Sequence, residues 1–121
     1  MEKCIYIVED NANIREIIEI LLIEEQYEVK VYPNVADFWN EMKIHKPDLI
    51  VLDIMLPDGN GLDICAKLKG NSRTHHIPVM MMSANNYLSQ VKGKCAAEDF
   101  INKPFDLNDF VTRVEHYAPH S

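Results

Sequence analysis

The chain has 121 residues, of which 47% are hydrophobic and 26% charged. That suffices for one ordinary core and leaves little room for a second, so residues 1–121 are expected to form a single domain. Nineteen acidic residues against 12 basic ones give a formal net charge of −7, which disfavours direct contact with nucleic acid or with an anionic membrane surface. The three cysteines, Cys4, Cys65 and Cys95, lack metal-ligand spacing and follow no recognisable signal peptide. They are expected to be reduced thiols in a cytoplasmic protein. No apolar run approaches the length of a membrane span.

Strand-like and helix-like segments alternate along the chain. Cys4 to Val8 is a short apolar run suited to a strand buried on both faces. Ile14, Ile17, Ile18, Leu21 and Leu22 then recur at helical spacing, and Asn13 with Glu16 three residues later reads as the helix start. Val29 to Tyr32 predicts a second strand, ended by Pro33. Asn34 is placed to cap a second helix carrying Val35, Phe38, Trp39 and Met42 on one face. At that spacing these residues are expected in the core rather than in a partner patch.

Leu49 to Leu52 predicts a third strand that closes on Asp53. Pro57-Asp58-Gly59-Asn60-Gly61 reads as a loop, and Leu62, Cys65, Ala66 and Lys69 as a third helix stopped near Gly70-Asn71. Ile77 to Met82 is a fourth apolar run, with Pro78 near its start, where a strand tolerates proline best. A weak helix is expected over roughly Asn86 to Cys95. Phe100-Ile101-Asn102 predicts a fifth strand, broken by Pro104. Asp106 is placed to cap a last helix with Leu107, Phe110, Val111 and Val114 on one face. Residues Tyr117 to Ser121 are expected to fray.

Five strands alternating with five helices imply an α/β fold with a parallel sheet covered on both faces. In such doubly wound sheets ligands bind past the carboxyl ends of the strands, at the switch in strand order. The residues at those ends are Glu9 and Asp10, then Asp53, then Ser83, then Lys103. Carboxylates gathered in one pocket repel unless something positive sits among them, and a hard divalent cation such as Mg²⁺ is the natural partner. Lys103 can neutralise a carboxylate or hold phosphoryl oxygens, and Ser83 offers a hydroxyl donor. A carboxylate, a metal, an ammonium and a hydroxyl are the parts that phosphoryl transfer requires, and a carboxylate can itself be the nucleophile.

Four segments, in order, together resemble the receiver (CheY-like) domain of two-component response regulators. They are Ile7-Val8-Glu9-Asp10; Leu52-Asp53-Ile54-Met55-Leu56-Pro57 with Gly61 after it; Met82-Ser83-Ala84; and Phe100-Ile101-Asn102-Lys103-Pro104-Phe105. The resemblance covers almost the whole chain. It implies a flavodoxin-like strand order 2-1-3-4-5 and a phosphorylation-dependent signalling switch rather than a turnover enzyme. It further implies that Asp53 accepts a phosphoryl group from a histidine kinase or phosphotransfer protein. Asp10, Asp53 and the backbone carbonyl of Met55 would bind Mg²⁺ directly, and Glu9 directly or through water. Ser83 would hydrogen-bond the phosphate, Lys103 would pair with it, and Phe100 would turn inward as Ser83 shifts. A downstream effector or output domain would read the change, and the Lys103-Pro104 bond would be cis.

The sequence departs from the family pattern at several positions. Glu9 stands where aspartate is common, and Phe100 lacks the hydroxyl of the frequent tyrosine. The interval from Ser83 to Phe100 is about two residues shorter than usual, and Ala96 sits where glycine is frequent. Met55 and Asn85 occupy variable positions. Other readings fit less well. A flavin site would need a phosphate cradle where Glu9-Asp10-Asn11-Ala12-Asn13 stands. A phosphatase of the dehalogenase type would need a second aspartate two residues after the first-strand nucleophile, where Ala12 stands. The alternative within the family is a pseudo-receiver that binds partners without phosphate, but such chains usually lack the acceptor, the acid or the lysine.

Overall fold

A computed structural model of the chain describes residues 2–84 and 95–120. Its main sheet has five parallel strands: β1 (Cys4–Val8), β2 (Glu28–Tyr32), β3 (Leu49–Asp53), β6 (Val79–Ala84) and β7 (Asp99–Lys103), in the order β2-β1-β3-β6-β7. This is the expected flavodoxin-like order. Strands β4 (Met55–Leu56) and β5 (Gly59–Asn60) form a separate antiparallel pair. The described helices are α1 (Ala12–Glu24), α2 (Val35–Met42), α3 (Gly61–Lys69) and α4 (Leu107–Tyr117). The helix expected over Asn86 to Cys95 lies almost wholly outside the described residues, as does Asn85.

The sheet is apolar on both faces because both are covered. Along β1, Ile5 and Ile7 point into one cluster while Tyr6 and Val8 point into another. The same alternation divides Ile50 and Leu52 from Leu49 and Val51 on β3, and Met81 from Met80 and Met82 on β6. Phe38 and Met42 of α2, with Ile64, Cys65 and Leu68 of α3, close one layer. Ile18 and Leu22 of α1, with Phe110 and Val114 of α4, close the other. Val35 and Trp39 pack at the margin of the first cluster, so the apolar face of α2 belongs mainly to the core.

Side-chain caps set most helix starts. Asn34 accepts from the Asp37 N–H at 2.8 Å, and Asp106 from the Asp109 N–H at 3.0 Å, both as expected. The expected start at Asn13 is corrected: Asn11 is the cap and accepts from the Ile14 N–H at 3.1 Å. The first helical turn therefore begins directly behind the acidic pair. The buried stripe of α1 is narrower than its spacing suggests, since Ile17 is 50% exposed. At its end Gln26 takes a left-handed conformation, φ 72°, and the Tyr27 N–H reaches back to the Leu22 carbonyl.

Three further expectations are corrected. The segment 57–61 is not wholly loop, because Met55 pairs with Asn60 and Leu56 with Gly59. The fourth main strand runs Val79–Ala84 rather than from Ile77, so Ser83 lies inside it, one residue before its end. The carboxyl-terminal residues do not fray as a group. Ala118 is buried and its carbonyl accepts from the Tyr27 hydroxyl at 2.8 Å, while the His120 ring stacks on Tyr27 at 4.3 Å. The sequence pattern alone does not reveal this anchor, because Tyr27 lies 91 residues away.

Candidate functional site

The parallel sheet delivers its strand ends to one edge. The Glu9 N–H continues the ladder by donating to the Tyr32 carbonyl at 3.0 Å, and the Ile54 N–H donates to the Met82 carbonyl at 3.0 Å. Backbone pairing thus fixes Glu9 and Asp53 on neighbouring strands. Register places Lys103 opposite Ala84. Glu9, Asp10 and Asp53 each present a carboxylate oxygen within 4.8 Å of the others.

Lys103 is the hub of this cluster. Its Nζ donates to Glu9 Oε1 at 2.5 Å and to Asp53 Oδ2 at 2.8 Å. Glu9 is fully buried and Asp53 nearly so. Two buried carboxylates without a cation would carry a large desolvation cost. Burial works against the Lys103 charge, but the hydrogen bonds and fields of Asp53 and Glu9 outweigh it and hold the ammonium above the ordinary lysine range. For Glu9 burial dominates: it pushes the carboxyl up to about 7, against the opposing effects of Lys103 and the Asn11 N–H.

The remaining contacts shape the rim. Glu9 Oε2 accepts from the Asn11 N–H at 3.0 Å, and Asp53 Oδ1 accepts from the Met55 N–H at 3.3 Å. Asp10 is exposed, and its side chain makes no hydrogen bond to another described residue. The carboxylates therefore divide into a buried pair that shares the Lys103 ammonium and an open one. An open cavity of about 620 Å³ lies over them, lined by Asp10, Asn11, Asp53, Met55, Ala84, Lys103 and Pro104 among others. The Lys103-Pro104 peptide is cis, as the family resemblance implies.

The donor set suits a hard cation. Asp10 and Asp53 offer carboxylate oxygens to the cavity, and Met55 lines the same opening. Both Glu9 oxygens already have donors, which suits a water-mediated role better than a direct one. Ser83 is buried, and among the described residues its hydroxyl donates only to the Ala84 carbonyl, a long bond at 3.4 Å. It is not hydrogen-bonded to Asp53. Phe100 is partly buried against the cluster that contains Met81.

Two contributors, Arg15 and Asp58, escape a sequence reading built on strand ends, and the reason for a third, Gly61, does too. Arg15 Nη1 donates to the carbonyls of Glu9 at 2.9 Å and Asp10 at 3.3 Å, tying the acidic turn to α1. Asp58 accepts from the N–H groups of Val35 and Ala36 at 2.8 and 3.2 Å, fastening the turn after Asp53 to the start of α2. Gly61 has no room for a side chain: a Cβ there would stand 2.2 Å from the Asp53 carbonyl oxygen. Gly61 was visible as part of the motif, but its reason was not. Only the Arg15 contact had a local sequence signal, a basic residue one helical turn after the cap.

Similarity to known proteins agrees with this arrangement. The family model described as "Response regulator receiver domain" matches residues 5–115. The response regulator ArlR of Staphylococcus aureus is 36% identical over 112 residues, covering 91% of this chain and 50% of ArlR. The chain thus spans about half the length of the curated relatives it matches. A signal receiver domain of a histidine kinase from Syntrophus aciditrophicus superposes with a TM-score of 0.89 at 27% identity, covering 96% of this chain and 89% of that one. The BeF3-activated receiver domain of DrrB, a Thermotoga maritima response regulator, superposes with a TM-score of 0.84 at 28% identity, covering 99% and 100%. Matched across nearly its whole length in sequence and in fold, the chain belongs to the response regulator receiver domain family.

Proposed function

We propose that this receiver domain is a phosphorylation-dependent switch in which Asp53 accepts a phosphoryl group in an Mg²⁺-dependent reaction. The observation that carries the reading is the single ammonium of Lys103 held by two buried carboxylates, with Asp10 open beside them. A purely structural ion pair would not need the third acid or the open cavity.

The donor is a histidine kinase or a phosphotransfer protein. An Asp53 carboxylate oxygen attacks phosphorus; the new O–P bond forms as the donor's P–N bond breaks. The electron pair leaves with the donor imidazole, which takes up a proton. A divalent cation such as Mg²⁺, when bound, would supply positive charge against the carboxylates and the phosphoryl oxygens. Asp10, Asp53 and the Met55 carbonyl would hold it, with Glu9 acting directly or through water. Lys103 exchanges part of its carboxylate contact for a phosphoryl oxygen, and its charge is secured by the same neighbours that hold it now.

The phosphoryl group adds charge and acceptor oxygens at one edge of the sheet. Ser83 gives up its long bond to the Ala84 carbonyl and donates to the phosphoryl group instead. Phe100, already against the core, turns into the space that Ser83 leaves. The two arrangements pre-exist, and phosphorylation shifts their populations. The changed surface is read by a downstream effector or output domain, in keeping with relatives about twice as long. The domain catalyses only its own phosphorylation and dephosphorylation. A cytoplasmic location accords with its family, and no described helix is long and apolar enough to cross a membrane.

Beryllofluoride, which occupies the place of an acyl phosphate, tests the acceptor site. Fluorine NMR should show bound beryllofluoride only with Mg²⁺ present, and not in Asp53→Asn. Failure of the parent protein to bind would favour a phosphate-independent interaction module.

A further inference from the structure

At the opposite end of the sheet from Asp53 lies a basic groove that the phosphoryl site does not use. It runs between the carboxyl-terminal ends of α2 and α3. Two depressions of about 850 and 380 Å³ share Trp39, Asn71 and Thr74. Lys67 flanks one, and Lys43, Lys46 and Arg73 flank the other. In a chain of net charge −7 this concentration of cations is against the trend.

Basic side chains near helix carboxyl ends often do no more than satisfy terminal carbonyls. Lys46 does that here, while Lys69 is held by carbonyls of the loop after α3. Lys46 Nζ donates to the Met42 carbonyl, and Lys69 Nζ to the carbonyls of His75 and Ile77 while also pairing with Glu98. The ammonium groups of Lys43 and Lys67 and the guanidinium of Arg73 have no such role. Among the described residues they meet no carboxylate within ion-pair distance and donate no hydrogen bond. All three are exposed. Segment 85–94 holds no Asp or Glu that could pair with them.

We infer that this groove docks an acidic polypeptide segment, with carboxylates facing Lys43, Lys67 and Arg73 and an apolar side chain resting on Trp39. Trp39 and Met42 give the second depression an apolar lining, and Ile44, next to Lys43 in the chain, is 70% exposed. A compact phosphate ligand fits worse. Both helices present carbonyl ends rather than N–H groups, and the Thr74 hydroxyl is already engaged. Thr74 Oγ1 donates to the Leu68 carbonyl, and Asn71 Oδ1 accepts from the Arg73 N–H. A long nucleic acid would meet the chain's overall negative charge. Carboxylates spaced along a peptide match the separated cations and leave the helix ends alone.

Trp39 is the only tryptophan, so its fluorescence reports the groove directly. The probe is a synthetic peptide of glutamates interrupted by leucines, free of aromatic residues, titrated into the whole protein at low salt. A saturable change in Trp39 emission is expected, weakening as salt screens the contact. Lys43→Glu combined with Arg73→Glu should raise the midpoint about tenfold or more. Lys3→Glu combined with Lys30→Glu alters net charge equally and should leave the midpoint near that of the parent. Phosphoryl uptake at Asp53 should be the same in all of them, since neither pair touches that site. No emission change, or an equal loss with both double variants, would overturn the inference. Equal or tighter response to inorganic tripolyphosphate or a single-stranded oligonucleotide would overturn it too, showing a general polyanion surface.

Discussion

At the scale of single residues, chemistry and stability meet in Lys103. Its ammonium is held by two carboxylates that are otherwise buried. Lys103→Ala should therefore destabilise the metal-free protein by about 3 kcal/mol, because both partners lose their cation. Mg²⁺ should restore more stability to this variant than to the parent, which thermal melts with and without the ion would reveal. Equal stabilisation of the two proteins would place the metal away from these carboxylates. Asp58 gives a second, pH-dependent expectation. The N–H groups of Val35 and Ala36 hold its carboxyl below the ordinary aspartate range. A carboxyl depressed on folding stabilises above its unfolded pKa, and that stabilisation fades as pH falls through the lower folded value. Asp58→Ala should thus lower stability at neutral pH and flatten the acid limb of the stability curve. The residues of the acidic site were legible because they carry unusual chemistry at strand ends. Asp58 was not, because it acts on backbone atoms 22 and 23 residues away that only the folded chain brings near.

At the scale of elements, caps and stripes were readable where they are local. Asn34 and Asp106 cap their helices as their positions suggest. For α1, both Asn11 and Asn13 are competent caps, and which one serves depends on where β1 releases the chain. Asn34→Ala should cost about 1 kcal/mol in a denaturant titration. Phe38→Ala should cost about 3–5 kcal/mol, since Phe38 is fully buried between α2 and the sheet. A loss below 1 kcal/mol would mean that the α2 layer is far looser than its burial implies. The pair β4–β5 was missed because two residues a side carry no periodic signal. The order of the five main strands was legible through the family motifs; alternation by itself gives only a parallel sheet.

At the scale of the whole molecule, the two-layered sheet makes the site possible. Buried strands hold Glu9 and Asp53 at fixed separation, and close packing of Gly61 on the Asp53 carbonyl leaves that strand end little freedom. Gly61→Ala should consequently reduce phosphoryl uptake together with stability, unlike Asp53→Ala, which should remove uptake and keep the fold. The same architecture sets the basic groove at the far edge, where an occupant would leave the acceptor open to its donor.

The central claim is that Asp53 takes up a phosphoryl group with the help of a divalent cation. Intact mass after incubation with acetyl phosphate tests it most directly, with Mg²⁺ and with chelator, on the parent and on Asp53→Ala. Gain of one labile phosphoryl group is expected, requiring Mg²⁺ and absent in the variant. Undiminished uptake by Asp53→Ala, or uptake indifferent to chelation, would contradict it.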